Sequence, residues 1–126
     1  MKGLYEVYIK DHFAAAHVLK GYDGDCANMH GHNWIVEAYI QCTKLDSLGI
    51  GIDFLEVKVA VKDVLSKLDH TTLNENPAFA SINPTSETLS KFLFTELSSR
   101  LNTEHIKVSK VMVLESPGCG SSYQEV

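Results

Sequence analysis

The stretch NWIVEAYIQC (Asn33–Cys42) places Trp34, Val36, Ala38, Ile40 and Cys42 at every second position, with Asn33, Glu37 and Gln41 opposite. A period of two marks a half-buried strand, because successive side chains of extended backbone point to opposite faces. Extended backbone through the preceding His30-Gly31-His32 projects both imidazoles to one side. Upstream, the odd positions read Tyr5, Val7, Ile9, Asp11, Phe13, Ala15 and His17, an apolar alternation broken by Asp11. That is a second strand, in which His17 shares the face of Phe13. The polar, glycine-bearing segment KGYDGDCANMHGH joins the two, and pairing of the strands would bring His17 beside His30 and His32.

Beyond this pair the period changes. In DFLEVKVAVKDVLSKLDH, a helical stripe runs through Phe54, Val57, Val61, Val64 or Leu65, and Leu68, with Asp53 and Glu56 resembling a capping box. The β-branched Val57, Val59, Val61 and Val64 lower intrinsic helicity, so packing has to support this helix. NENPAFASINP reads as loop. A second helix follows, capped by Thr85 or Ser86 and burying Leu89, Phe92, Leu93, Leu97 and Leu101. IKVSKVMVLES reads as a strand buried on both faces, ended by PGCGSS before one short final strand. The order is β-β-α-α-β-β, an α+β chain with an antiparallel sheet.

No repeat, linker or low-complexity tract divides residues 1–126, and 44% hydrophobic composition suits a single domain with a real core. No apolar run is long enough to cross a bilayer, and MKGLYEVYIK alternates where a signal peptide would carry an apolar block. A cytoplasmic protein is expected. Cys26, Cys42 and Cys119 are irregularly spaced and do not form a disulfide framework. The net charge is −5, the pI about 5.6, and Arg100 is the only arginine. No basic stripe for nucleic acid and no lysine-flanked apolar helix for a membrane surface is present.

Chemistry concentrates around CANMHGHN. His17, His30 and His32 would supply three imidazoles and leave one open position, the ligand set of a catalytic zinc. Gly31 between two of them would allow close approach. Isolated histidines more often hydrogen bond or face solvent, and that reading is preferred for His12 and His105. Cys26, four residues before His30, has two readings. It is a thiolate ligand of a structural site, with Cys119 a possible further ligand. Or it stands unligated beside the metal, where a nearby cation lowers its pKa from about 8.5 and fits it to take a proton from carbon. Cys42, on the apolar strand face, is core filler. Asp69 and His70 follow the first helix as an adjacent acid–imidazole pair, either a proton relay or a helix-end cap. Glu115 ends an apolar strand, where a carboxylate could accept two parallel N–H bonds or simply meet water.

FAAAH, CANMHGHN, GIDFLEVK, LDHTTLN, NPTSETL and LESP, in this order over nearly the whole chain, resemble the 6-pyruvoyl-tetrahydropterin synthase family. That family includes the bacterial 6-carboxytetrahydropterin synthases of queuosine biosynthesis. The resemblance implies the T-fold, in which two hairpins and two helices per subunit build trimeric barrels that stack in pairs, giving a homohexamer. Closure into a barrel would remove otherwise exposed strand edges. It also implies Zn2+ held by His17, His30 and His32, a catalytic Cys26 beside the metal, and a catalytic Asp69–His70 pair. Glu115 matches the pterin anchor, and Thr85 and Glu87 match a segment near the pterin. The three-residue spacer between Cys26 and His30 is similar to the carboxytetrahydropterin synthases, whereas animal pyruvoyl synthases have a longer one. A further branch, acting as an aldolase on dihydroneopterin-type substrates, replaces this cysteine with glutamate.

The implied reaction takes 7,8-dihydroneopterin triphosphate to 6-carboxy-5,6,7,8-tetrahydropterin with loss of acetaldehyde and triphosphate. The alternatives are elimination of triphosphate from the same substrate to the 6-pyruvoyl product, and a non-catalytic zinc-stabilised binding module with Cys26 as fourth ligand.

Overall fold

The computed structural model describes residues 2–24 and 27–126. Its elements are β1 (Tyr5–His17), β2 (His30–Cys42), α1 (Phe54–Ser66), β3 (Thr71–Thr72), α2 (Ser86–Leu101), β4 (Ile106–Ser116) and β5 (Cys119–Tyr123). β1 and β2 pair antiparallel over their full length, from Tyr5↔Cys42 to His17↔His30. Their shared inward face carries Phe13, Ala15 and His17 from one strand and Trp34, Val36, Ala38, Ile40 and Cys42 from the other, all buried. α1 packs on β1, α2 packs on β4 and β5, and both helices contribute to the one core. The fold is the expected α+β arrangement of two hairpin-forming pairs and two helices.

The sheet differs from expectation in one strand. Its order is β3-β1-β2-β4-β5, and β3 runs parallel to β1, which makes the sheet mixed. Two residues are too short to carry a periodic signal; β3 exists because the chain leaving α1 is docked onto β1. The Asp69 carboxylate accepts the Ala14 N–H at 2.9 Å, and the His70 N–H donates to the Ala14 carbonyl at 2.6 Å. The NENPAFASINP loop also contains two 3-10 turns, Leu73–Glu75 and Pro77–Phe79, which bury Leu73 and Phe79.

Three details of packing depart from the periodic reading. Phe54 is 59% exposed, and the buried stripe of α1 is Val57, Ala60, Val61, Val64 and Leu65. Asp53 caps that helix through the Leu55 N–H, and Glu56 adds only favourable first-turn charge. β4 is fully buried on one face only, at Val108, Val111 and Val113, while Met112 and Leu114 are half-buried. The odd spacing from Val108 to Val111 comes from a bulge, since Tyr39 pairs Lys110 but Ile40 pairs Val108. In α2, Thr85 is the cap and forms a reciprocal box with Thr88; Phe92 is half-buried, and Phe94 joins the core.

Candidate active site

The register of the first hairpin decides the centre of the site. His17 is the last residue of β1 and pairs directly with His30, the first of β2, while Ala15 lies opposite His32. All three imidazoles therefore point to the inward face at one end of the sheet, and the small Ala15 leaves room across from His32. Gly31 is on the opposite face, where an added Cβ would meet only the Ala15 carbonyl at 3.8 Å. The glycine is thus not required for access to the imidazoles, contrary to the expectation from its place in the motif.

Each ring is oriented by a bond at its far side. His17 Nδ1–H donates to the Pro84 carbonyl at 2.7 Å, and His30 Nδ1–H donates to the Asn28 carbonyl at 2.7 Å. A carbonyl only accepts, so in both neutral rings Nε2 carries a lone pair. Yet the two Nε2 atoms lie 2.9 Å apart. Two lone pairs at that distance repel unless a cation stands with them. His32 Nε2 is buried and has no hydrogen-bond partner, an orphan of the kind that native structures rarely leave. A Glu115 carboxylate oxygen lies 3.9 Å from it, beyond hydrogen-bond length.

The three ligand atoms lie within 4.8 Å of one another. A tetrahedral zinc with bonds of about 2.0–2.1 Å spaces its nitrogens about 3.3 Å apart, inside the range these rings span. The three histidines are therefore close enough to bind a metal ion, and the orphaned nitrogen fits that use. Trp34 closes the inner side of the cluster. It is fully buried, stands edge-to-face at 5.0 Å from both His17 and His32, and satisfies its indole N–H on the Ala15 carbonyl at 3.1 Å. Burial also pushes the His17 pKa down, which keeps the ring neutral and its Nε2 free as a ligand.

Asp69 and His70 form a direct pair, with Oδ2 2.9 Å from Nδ1. The Ala14 N–H, and then His70, hold the Asp69 carboxyl below the usual carboxylate range, so it stays an anion that fixes the imidazole. His70 has a φ of 60°, a left-handed conformation that costs a residue with a side chain about 1–2 kcal/mol. The ring itself is 82% exposed. His70 and His32 border one shallow cavity of about 330 Å3 with Ala14, Ala16, Gly31 and Asn33.

Thr85 spends its hydroxyl on the cap of α2, and Glu87 sits in the first turn, its carboxylate accepting the Ser86 hydroxyl at 3.1 Å. Its own backbone N–H, with Ser86 and Ser121, holds the Glu87 carboxyl below its ordinary value. Cys26 lies outside the described residues. Cys119 is exposed at the start of β5, and Cys42 is buried with its thiol pKa raised by that burial, as filler should be.

Sequence reading passed over the groups that orient the cluster. Trp34 is two residues after His32 on the same strand face, and parity alone would have found it. The Pro84 and Asn28 carbonyls left no side-chain signal.

The sequence profile of the family described as 6-pyruvoyl tetrahydropterin synthase matches residues 6–126. A relative from Archaeoglobus fulgidus, provisionally named a 6-carboxy-5,6,7,8-tetrahydropterin synthase, is 37% identical over 103 residues, covering 81% of this chain and 84% of its own. The 6-carboxy-5,6,7,8-tetrahydropterin synthase of Haemophilus influenzae is 28% identical over 135 residues, covering 90% and 94%. The solved structure of Caenorhabditis elegans 6-pyruvoyl tetrahydropterin synthase superposes with a TM-score of 0.86 at 24% identity, over 98% of this chain and 97% of that one. A match over nearly the whole chain, joined to the same fold, places this protein in the 6-pyruvoyl tetrahydropterin synthase family.

Proposed function

We propose that residues 1–126 act as one synthase domain that converts 7,8-dihydroneopterin triphosphate and one water to 6-carboxy-5,6,7,8-tetrahydropterin, releasing acetaldehyde and triphosphate, as queuosine biosynthesis requires. The observation that carries the reading is the convergence of one ring nitrogen from each of three histidines, with His32 Nε2 left without a hydrogen-bond partner, in a chain of this family. The short spacer between Cys26 and His30 supports the carboxy product over the pyruvoyl one.

Zinc bound by His17, His30 and His32 would supply Lewis-acid polarisation of substrate side-chain hydroxyls. The chain's own residues do the rest. Cys26, as a thiolate, takes a carbon-bound proton next to the pterin ring. His70 presents Nε2 for the matching proton, because its Nδ1 is engaged by Asp69. Glu115, 34% exposed beside His32, offers two carboxylate oxygens to the amino and ring N–H groups of the pterin. Thr85 and Glu87 line the approach. Incubation with 7,8-dihydroneopterin triphosphate and analysis of products by mass tests the assignment. The 6-carboxy product with acetaldehyde is expected, and a 6-pyruvoyl product would assign the chain to the other activity.

Glu115→Gln keeps the size and replaces one acceptor by a donor. It is expected to weaken pterin binding by roughly 10-fold or more, the loss of one charged hydrogen bond. Unchanged affinity by calorimetry would remove Glu115 from recognition.

A cytoplasmic homohexamer, a dimer of trimers, is part of the same proposal. The outer face of the sheet is covered by no element of the described residues, and Tyr8 on it is 44% exposed. β3 pairs β1 only at Ala15 and Ala16, which leaves most of the β1 edge unpaired among the described residues, and the five-residue β5 forms the other edge. Copies closing into a barrel would cover both. Light scattering at micromolar concentration should give the hexamer mass, and a stable monomer would contradict this. No helix of the described residues is long and apolar enough to cross a membrane.

A further inference from the structure

The β1 edge beyond β3 is completed by side chains instead of a strand. Asn74 accepts the Val18 N–H and donates to the Val18 carbonyl, both at 2.9 Å. Asn83 repeats this at Lys20, accepting the N–H at 2.9 Å and donating to the carbonyl at 3.0 Å. A primary amide has the donor–acceptor pair of a peptide, so each asparagine replaces one residue of a missing neighbour. The residue following Asn83 is Pro84, whose carbonyl orients His17.

This strap is tied again from the other side. Thr88 Oγ1–H donates to the Asn83 carbonyl at 2.6 Å, and the same oxygen accepts the Thr85 N–H at 2.9 Å. Pro84 thus lies between two residues whose backbone groups both end on one hydroxyl. Proline contributes a fixed φ and no N–H, so its only backbone hydrogen-bonding group is the carbonyl given to His17. A group hydrogen-bonded to a metal ligand, the place the Pro84 carbonyl takes here, sets the ligand's orientation and tautomer, and its loss typically costs 10–100-fold in metal affinity or activity.

We propose that Asn83 and Thr88 are positioning residues of the metal site, holding the Pro84 carbonyl so that His17 presents Nε2 to the ion. The proposal rests on the three-histidine reading. It goes beyond it in assigning the geometry of His17 to a strap at the start of α2, in place of the strand that carries the ligand. Thr88→Val removes the hydroxyl at nearly constant volume, and Thr88→Ser retains it.

The test is zinc affinity of the full chain by chelator competition, with the d–d absorption of the cobalt-substituted protein. Thr88→Val and Asn83→Ala, which loosen the Pro84 carbonyl without deleting it, should bind zinc up to about 10-fold more weakly with altered cobalt bands, and Thr88→Ser should restore both. Wild-type affinity and bands in Thr88→Val and Asn83→Ala would overturn the proposal, even with a lowered melting temperature of the metal-free protein. If either variant fails to fold, Asn83→Asp, which keeps the acceptor for Lys20 N–H and loses the donor, is read by the same two outcomes. His17→Ala in the same assay tests the underlying site separately: affinity equal to wild type there would dismiss the three-histidine reading and not merely the strap.

Discussion

His17→Ala is expected to bind far less than one zinc per subunit, with affinity reduced beyond the 10–100-fold typical of outer-shell losses, and activity should fall with the metal. The reason lies in the geometry of the ring. His17 is fully buried, its Nδ1 is committed to the Pro84 carbonyl, and its Nε2 is 2.9 Å from that of His30. Removing it deletes a ligand and also leaves the Pro84 carbonyl without its donor. Because a buried deletion can disturb folding, His30→Ala serves as the control; that ring is only half-buried at the mouth of the strand pair. Elemental analysis should show both variants depleted of zinc. Full occupancy in His17→Ala would reject the site.

Cys26→Ala should lose turnover by about 10²–10⁴-fold, the range for removal of a general base, while folding and retaining zinc. A structural site would behave otherwise, because a four-ligand centre depends on every ligand. With the thiolate as the active form, the wild-type rate is expected to rise with pH, and a rate independent of pH would count against the thiol as base. Cys26 should also be alkylated much faster than Cys42, which is fully buried and whose burial raises its thiol pKa. Near-normal turnover of Cys26→Ala would remove the thiol from the chemistry.

What could be read from the chain was local in origin. The alternation through Asn33–Cys42 and the parity of His30 and His32 follow from extended backbone alone, and the observed pairing sets His17 directly against His30, a register that alternation by itself does not fix. Helix positions followed from the 3.6-residue stripe wherever a helix lies against the sheet. The stripe failed at Phe54, which is exposed in the first turn of α1, since the period does not report how far along the helix its packing partner extends. IKVSKVMVLES read as buried twice over because apolar content cannot distinguish a face covered within the chain from one left partly open.

The parts of the site that stayed hidden are those made by backbone groups and single side chains from distant segments. β3 is two residues long and arises from the docking of Asp69 and His70 on Ala14. The Asp69–His70 pair was visible as a dipeptide, yet its attachment to β1 was not, since that contact spans 55 residues. The Pro84 carbonyl has no residue identity at all. Asn74 and Asn83 looked like loop residues, the role asparagine usually fills, and act here as stand-ins for strand peptides.

The cobalt-substituted wild-type protein tests the central claim in one spectrum, because a thiolate ligand to cobalt gives a strong near-ultraviolet sulfur-to-metal charge-transfer band and an imidazole set does not. With the metal on His17, His30 and His32 and Cys26 standing beside it, the spectrum should show four-coordinate d–d bands without the sulfur band. A sulfur band that disappears in Cys26→Ala would make the cysteine a ligand and contradict the account.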